Sequence, residues 1–249
     1  MFNLFKKRET APTVMGVLPI QTDIHSHILP GIDDGAADID QSIALISGLY
    51  KIGITRCIAT PHIIGDLYRN TPATINAALE KARSACVSAG IPMRIDAAAE
   101  YMLDDYFMEM LYAKQPFLTI HDNFLLTELP YSTRPNNIGE MVFSIITGGY
   151  QPVLAHPERY HYFHRDFEQY RRLKELGFHL QVNLLSITGY YGKEVARAGK
   201  YILDKGLASF VGTDLHHQRH LAALGNAGNM ALFDRYLAGK AFNEPGVSV

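Results

Sequence analysis

The sequence predicts an α/β barrel, and three observations carry that prediction. A short apolar run, a loop and an amphipathic stretch recur seven times between residues 22 and 238. Such repetition demands parallel strands, because each crossover helix returns the chain to the same end of the sheet. No GxGxxG follows the first run, so the fingerprint of an open dinucleotide-binding sheet is missing. A doubly wound open sheet is the alternative arrangement of the same units, but 249 residues fall within the range of one barrel.

Each unit has its own start and stop. The run TDIHSHI at 22–28 precedes an amphipathic segment at 38–52, where Ile39, Ile43, Ile46, Leu49 and Tyr50 recur near the 3.6-residue period. Gly53 ends that helix, as glycine does just past a helix terminus. ITRCIAT at 54–60 leads to a helix at 73–89, and MRIDAAA at 93–99 leads to one at 104–113. FLLTEL at 124–129 is followed by a helix at 136–148, which Gly148 and Gly149 close. QPVLAH at 151–156 precedes 166–176 and Gly177, and HLQVNLLS at 179–186 precedes 190–204 and Gly206. LASFVGT at 207–213 leads to a last helical stretch at 219–238. Nothing interrupts the series, so one domain over 20–249 is expected behind a flexible tail at 1–19.

Composition excludes several functions. The chain is 47% hydrophobic and 19% charged, with a net charge of −2. That balance lacks the basic footprint of nucleic-acid binding. No run reaches the roughly 20 apolar residues of a membrane span, and MFNLFKKRETAPTVMG lacks the apolar core of a secretory signal. Stable membrane insertion is not expected. Cys57 and Cys86 have neither metal-ligand nor disulfide-framework spacing, which fits a reduced, cytoplasmic chain. No CxxxxxR phosphate loop is present, so cysteine-nucleophile phosphatase chemistry is excluded.

The chemistry lies at the ends of the runs. The first ends in His25-Ser26-His27 and its loop carries Asp33 and Asp34. The second ends in TPH at His62, the third at Glu100, the fourth at Glu128 and the fifth at His156. The seventh ends in TDLH, giving Asp214 and His216. A lone histidine at a strand end is more often a packing residue than a ligand, and a lone glutamate is more often a surface group. His25 and His27 are different, because alternate residues of a strand point the same way. In a barrel all these ends share the C-terminal rim, where sites are built. Carboxylates crowded there without partners would repel one another and shift their protonation strongly. Metal ions remove the difficulty. Imidazole and carboxylate without thiolate suit manganese, iron or zinc. So many ligands exceed the capacity of one ion, which predicts two or three. Four carboxylates against three divalent ions leave a charge of about +2, which favours an oxyanion such as a phosphate monoester. Arg159, three residues beyond His156, is placed to grip phosphate oxygens with its planar fork.

DIHSHILPGIDDG, TPH, the Ala99-Glu100 pair, TELPY, AHPERY and TDLHH occur in an order that resembles the polymerase and histidinol phosphatase family. Within it these segments resemble the bacterial tyrosine phosphatases of capsule and exopolysaccharide operons, the CpsB, CapC and YwqE type. The resemblance implies a distorted (β/α)7 TIM-like barrel with a trinuclear metal site at the C-terminal rim. It implies one ion on His25, His27, Glu100 and Asp214, and a second on Asp34, His62 and a bridging Glu100. The third would lie on Glu128, His156 and His216. It also favours Asp34 over Asp33 as ligand and manganese as the metal, with iron or zinc as alternatives. The implied activity is hydrolysis of protein phosphotyrosine by attack of a metal-bound hydroxide. Arg159, Arg134 and Arg219 are candidate substrate contacts, and Asp33 or His217 the candidate proton donor. The implied partner is the phosphotyrosine-bearing tail of a bacterial tyrosine kinase, met in the cytoplasm near the inner face of the membrane. A histidinol-phosphate or other small-molecule phosphatase on the same site is the alternative. An amidohydrolase also opens with HxH, but usually needs a lysine carbamate that this pattern does not offer.

Overall fold

The computed structural model describes residues 16–243. Strands and helices alternate: β1 (Thr22–Asp23), α1 (Ile39–Lys51), β2 (Arg56–Ala59), β3 (His62–Ile63), α2 (Pro72–Ser88), β4 (Arg94–Ala97), β5 (Glu100–Met102) and α3 (Asp105–Tyr112). Then come β6 (Phe124–Glu128), α4 (Ile138–Thr147), β7 (Gln151–Ala155), α5 (Glu168–Leu176), β8 (His179–Asn183), α6 (Lys193–Asp204), β9 (Ala208–Gly212), α7 (Gln218–Leu224) and α8 (Ala227–Leu237). The named strand pairs are all parallel, as the crossover pattern requires.

Two sheets run β1-β2-β4 and β3-β5-β6-β7-β8-β9. Only Thr60 and Pro61 separate β2 from β3, and only Ala98 and Ala99 separate β4 from β5. Hydrogen bonds from Ala98 N to Ala59 O (2.8 Å) and from Glu100 N to Pro61 O (3.1 Å) cross these interruptions. The strands therefore match the seven apolar runs read from the sequence. The outermost segments also meet. Asp214 N donates to His25 O at 2.7 Å, His27 N donates to Leu215 O at 2.9 Å, and Thr213 N donates to Asp23 Oδ1 at 2.9 Å.

Alternation along the strands sorts the apolar residues into two layers. Ile24, Ile58, Leu126, Val153, Ala155 and Phe210 belong to one inner cluster. Cys57, Ala59, Leu125 and Leu154 pack instead in the larger cluster that holds Leu45, Ile46 and Leu49 of α1. Glu128 lies in register with Phe124 and Leu126, so strand geometry carries its carboxylate to the end of the inner face. Local chemistry sets the helix ends. Thr71 and Thr74 form a capping box on α2, and Asp38 and Asp104 cap α1 and α3.

Three segments depart from expectation. The stretch expected as one helix at 219–238 splits into α7 and α8, because Asn226 caps a new start by accepting from Gly228 N. The helix expected from 190 starts at Lys193, after a 3-10 turn at Leu184–Thr188. Of the tail expected at 1–19, residues 1–15 lie outside the described residues. Leu18 is buried and donates to Ile52 O at 2.8 Å, so packed chain begins before residue 20.

Candidate metal centre

The nine expected ligands gather at one end of the strands. His62 and Glu100 are paired in register on β3 and β5, and Glu128 ends β6. His25 and His27 follow β1, His156 follows β7, and Asp214 and His216 follow β9. His25, His27, Glu100, Glu128, His156 and Asp214 are buried. His156 and Asp214 have φ of 36° and 50°, the left-handed region that non-glycine residues seldom enter. Such strain at converging polar residues is a mark of functional sites. Gly35 permits another close approach: a Cβ there would sit 1.9 Å from His27 O.

Hydrogen bonds fix which face each imidazole presents. Gln181 gives its amide nitrogen to Asn183 Oδ1 at 2.9 Å, which leaves Oε1 to accept from His25 Nδ1 at 2.8 Å. Asp33 accepts from His27 Nδ1 at 2.8 Å as well as from the amides of Gly35 and His62. The Nδ1 of His216 donates to the carbonyl of Asp214 at 3.0 Å. The Nε2 atoms of His25 and His27 thus face each other across 3.3 Å as lone pairs when the rings are neutral. Glu100 Oε2 lies 3.2 and 3.4 Å from them. That triangle is what a divalent ion with bonds of about 2.1 Å demands, since tetrahedral ligands at that length stand about 3.4 Å apart. Asp214 Oδ1 lies 3.5 Å from each of the two nitrogens. Its Oδ2 is held from behind by Asn183 Nδ2 and Arg159 Nη1, both at 2.7 Å.

A second convergence is more telling. His62 Nδ1, Glu100 Oε2 and Glu128 Oε1 are buried and make no hydrogen bond, although His62 Nδ1 lies 3.2 and 3.0 Å from the two oxygens. Proximity without hydrogen-bond geometry leaves three polar atoms aimed at a common centre. An unpaired buried polar atom costs about 1–3 kcal/mol, and a cation bound among them removes that cost. The residues present therefore fit divalent metal.

Without a cation, protons take its place among these acids. Burial opposes the charge of Glu100, but His25 and His62 outweigh it and hold the carboxyl well below its ordinary range. Glu128 is raised by burial and by the neighbouring Glu100. Burial acts against His25 too, yet Glu100 and Asp214 raise it to about 9. Asp34, half-exposed at the edge, is held down to about 2, chiefly by His216.

The donor sets differ in part from those the resemblance implied. His25, His27 and Glu100 do form one group. His216 lies with His27, Asp34 and His62 rather than with Glu128 and His156, because its tether to Asp214 O turns the ring to stack on His27 at 3.9 Å. His156 groups with His25 and Asp214, and Glu128 with His62 and Glu100. Asp33, a candidate proton donor, is instead the carboxylate that fixes His27. Its protons are further disfavoured because, against burial, His27 holds it below the ordinary carboxyl range. His217 accepts from His220 N as the N-cap of α7, and its ring packs tilted against that of His220 with centroids 3.9 Å apart. Arg219 is exposed and shares with His217 and Gln41 a cavity of about 280 Å³. Arg134 is exposed and lies over the Phe163 ring. Arg159 alone of the three arginines touches the ligand cluster, through Asp214.

Several residues were invisible as site residues in the sequence. The sixth apolar run carries no histidine or acid at its end, yet its Gln181 and Asn183 are fully buried and orient His25 and Asp214. The signal was present: Gln-x-Asn repeats the same-face spacing of His-x-His. Glu158 is buried, accepts from Asn183 N at 2.9 Å, and is pushed up to about 7 by burial.

Comparison with known proteins gives a consistent family. A family model described as "Capsular polysaccharide synthesis, CpsB/CapC" matches residues 21–230. The chain is 31% identical over 196 residues to the tyrosine-protein phosphatase YwqE of Bacillus subtilis, covering 78% of this chain and 77% of the relative. It is 27% identical over 203 residues to the tyrosine-protein phosphatase CpsB of Streptococcus pneumoniae, covering 78% and 82%. Among solved structures, work on YwqE from Bacillus subtilis and CpsB from Streptococcus pneumoniae describes them as unique metal-dependent tyrosine phosphatases. A chain from it superposes with a TM-score of 0.78 at 27% identity, covering 88% of each chain. A histidinol phosphate phosphatase from Lactococcus lactis shares the fold, with a TM-score of 0.52 at 12% identity, covering 86% and 93%.

Proposed function

The chain belongs to the CpsB/CapC family of capsular polysaccharide synthesis, and from that premise and the geometry of its rim we propose that it is a metal-dependent phosphatase of protein phosphotyrosine. The observation that carries the reading is the set of buried unpaired atoms His62 Nδ1, Glu100 Oε2 and Glu128 Oε1, beside the facing nitrogens of His25 and His27. They support two to three divalent ions, manganese by our reading, with iron or zinc as the other metals these ligands suit. His25, His27, Asp34, His62, Glu100, Glu128, His156, Asp214 and His216 would hold them. The links between Asp214, Leu215 and the strand opposite support a closed, distorted (β/α)7 barrel around that rim.

Bound metal would supply Lewis-acid charge for the phosphoryl oxygens and the means to acidify a water. The protein's own residues do the rest. Gln181, Asp33 and the Asp214 carbonyl hold three imidazoles in one tautomer. Arg159 keeps a planar cation beside the cluster, where it binds phosphoryl oxygens and stabilises their charge as the bond breaks. A phenolate leaves readily, the phenol pKa being about 10, so a strong proton donor is not required. His217 is the remaining candidate for that role, and Arg134 and Arg219 are candidates for contact with residues flanking the phosphotyrosine.

The substrate we propose is a phosphotyrosine-bearing segment of a tyrosine kinase of capsule or exopolysaccharide synthesis, dephosphorylated in the cytoplasm. No helix among the described residues is long and apolar enough to cross a membrane. The experiment compares a phosphotyrosine peptide with histidinol phosphate at equal manganese load, with and without chelator. Faster turnover of the peptide, abolished by chelator and untouched by thiol alkylation, supports the reading. Preference for histidinol phosphate overturns the substrate, and turnover that survives chelation overturns the chemistry.

A further inference from the structure

The guanidinium of Arg159 lies over two aromatic rings, 5.2 Å from the Tyr131 ring centroid and 4.7 Å from that of Tyr191. We propose that this pair forms a cage that positions Arg159 for the phosphoryl group, with Tyr191 its principal wall. The proposal rests on the phosphatase reading above and adds two residues to it.

The argument is one of donors. A guanidinium offers five N–H groups in a fixed fork. Among the described residues its hydrogen-bond partner is Asp214, through Nη1. Aromatic faces attract a cation without accepting a hydrogen bond in the plane of the fork. The cage therefore fixes the plane of Arg159 while leaving its other donors for phosphoryl oxygens. A carboxylate in place of either ring would hold the cation equally well but consume those donors. The two walls are not equivalent. Tyr131 also stacks on the candidate ligand His156, with centroids 5.7 Å apart and planes at 25°. Tyr191 packs instead on Tyr190 and His220, its hydroxyl 3.4 Å from His220 Nε2. Replacing Tyr191 thus loosens Arg159 with the least disturbance of the metal ligands.

The full-length, manganese-loaded chain is compared with its Tyr191→Leu and Tyr191→Phe variants. The probes are inorganic phosphate as inhibitor and a phosphotyrosine peptide as substrate. The expected result for Tyr191→Leu is a rise of about ten-fold in KM and in the phosphate inhibition constant, the size of one desolvated cation–π contact. Its metal content and thermal midpoint change little, and Tyr191→Phe stays close to wild type. Unaltered phosphate binding in Tyr191→Leu overturns the cage. Equal loss in both variants also overturns it, since the hydroxyl would then be what matters. A second readout is independent of activity. The Nε–H signal of Arg159, assigned by its loss in Arg159→Lys, is expected upfield of the arginines that face no ring, through ring currents. An unshifted signal in the wild-type chain overturns the cage whatever the variants do. Should the wild type hydrolyse no phosphomonoester, the functional reading fails while this signal still decides the cage.

Discussion

Histidines occupy both ends of the parallel strands, the rim set on some strands and the base pair on others, and the two ends treat them oppositely. At the rim, His25, His27, His62, His156 and His216 face one another and the carboxylates Glu100, Glu128 and Asp214. At the base, His121 and His179 face rings: His121 lies 4.9 Å from Phe124 and 5.7 Å from Phe210, and His179 lies 5.0 Å from Phe124. Both ring nitrogens of His121 are buried without hydrogen bonds, and the nearby Asp122 carboxylate, 3.5 Å away, is largely exposed. An unpaired nitrogen thus marks a ligand site only where other unpaired donors aim at the same point. What separates the two ends is the company each imidazole keeps. Residue type is shared, and the His121 side chain is no more exposed than that of His62 at the rim.

The sharpest way to break this comparison is to remove a rim ligand. Glu100→Gln is expected to lower kcat/KM by about a thousand-fold or more, together with bound metal. Metal analysis alongside peptide hydrolysis checks it, and retained activity with lost metal would separate the rim from the chemistry. The next effect belongs to the residues behind the ligands. Gln181→Leu or Asn183→Leu is expected to weaken metal binding about ten- to a hundred-fold without changing the ligand set. Metal titration against a competing chelator measures it.

A smaller effect tests a histidine that sits between the two regimes. His220 is buried and pushed down to about 4, first by burial and then by His217. Its folded value lies below the ordinary 6.5, so the neutral ring stabilises the fold above that pH. The contribution is lost as pH falls from 6.5 through 4. Thermal midpoints at constant metal load should therefore drop more steeply over that window in wild type than in His220→Gln, by about 3 °C. A parallel pair of curves would contradict it. The smallest expected effect is at the base. His121→Phe should leave turnover within about two-fold of wild type and raise unfolding stability by about 1 kcal/mol, since it deletes two unpaired nitrogens. Loss of metal or activity in that variant would erase the distinction between the ends.

The alternation of runs and amphipathic segments made the parallel strands legible, because strand and helix periods differ and each run stayed short. The gathering of the ligands was legible for a related reason: parallel strands all end on one side, so residues at run ends must meet. The partition of ligands was not. His216 turns toward Asp34 through a hydrogen bond to the Asp214 carbonyl, and no side-chain pattern encodes a backbone tether. The left-handed backbone at His156 and Asp214 was equally hidden, since neither is glycine. Gln181 and Asn183 escaped because amides do not ligate these metals, although their same-face spacing was in view. Asp33 was singled out as an acid in a motif, but its three hydrogen bonds, which hold His27 and two backbone amides, were not legible.

The central claim is that the buried, unpaired donors of the rim are paired by divalent cations. Metal stoichiometry of the wild-type chain after exhaustive dialysis, set beside that of Glu100→Gln and His121→Phe, addresses it most directly. Two or more ions per chain in wild type and His121→Phe, with a marked loss in Glu100→Gln, is the predicted result. Wild-type chain that holds no divalent ion, or Glu100→Gln that holds as many as wild type, would contradict it.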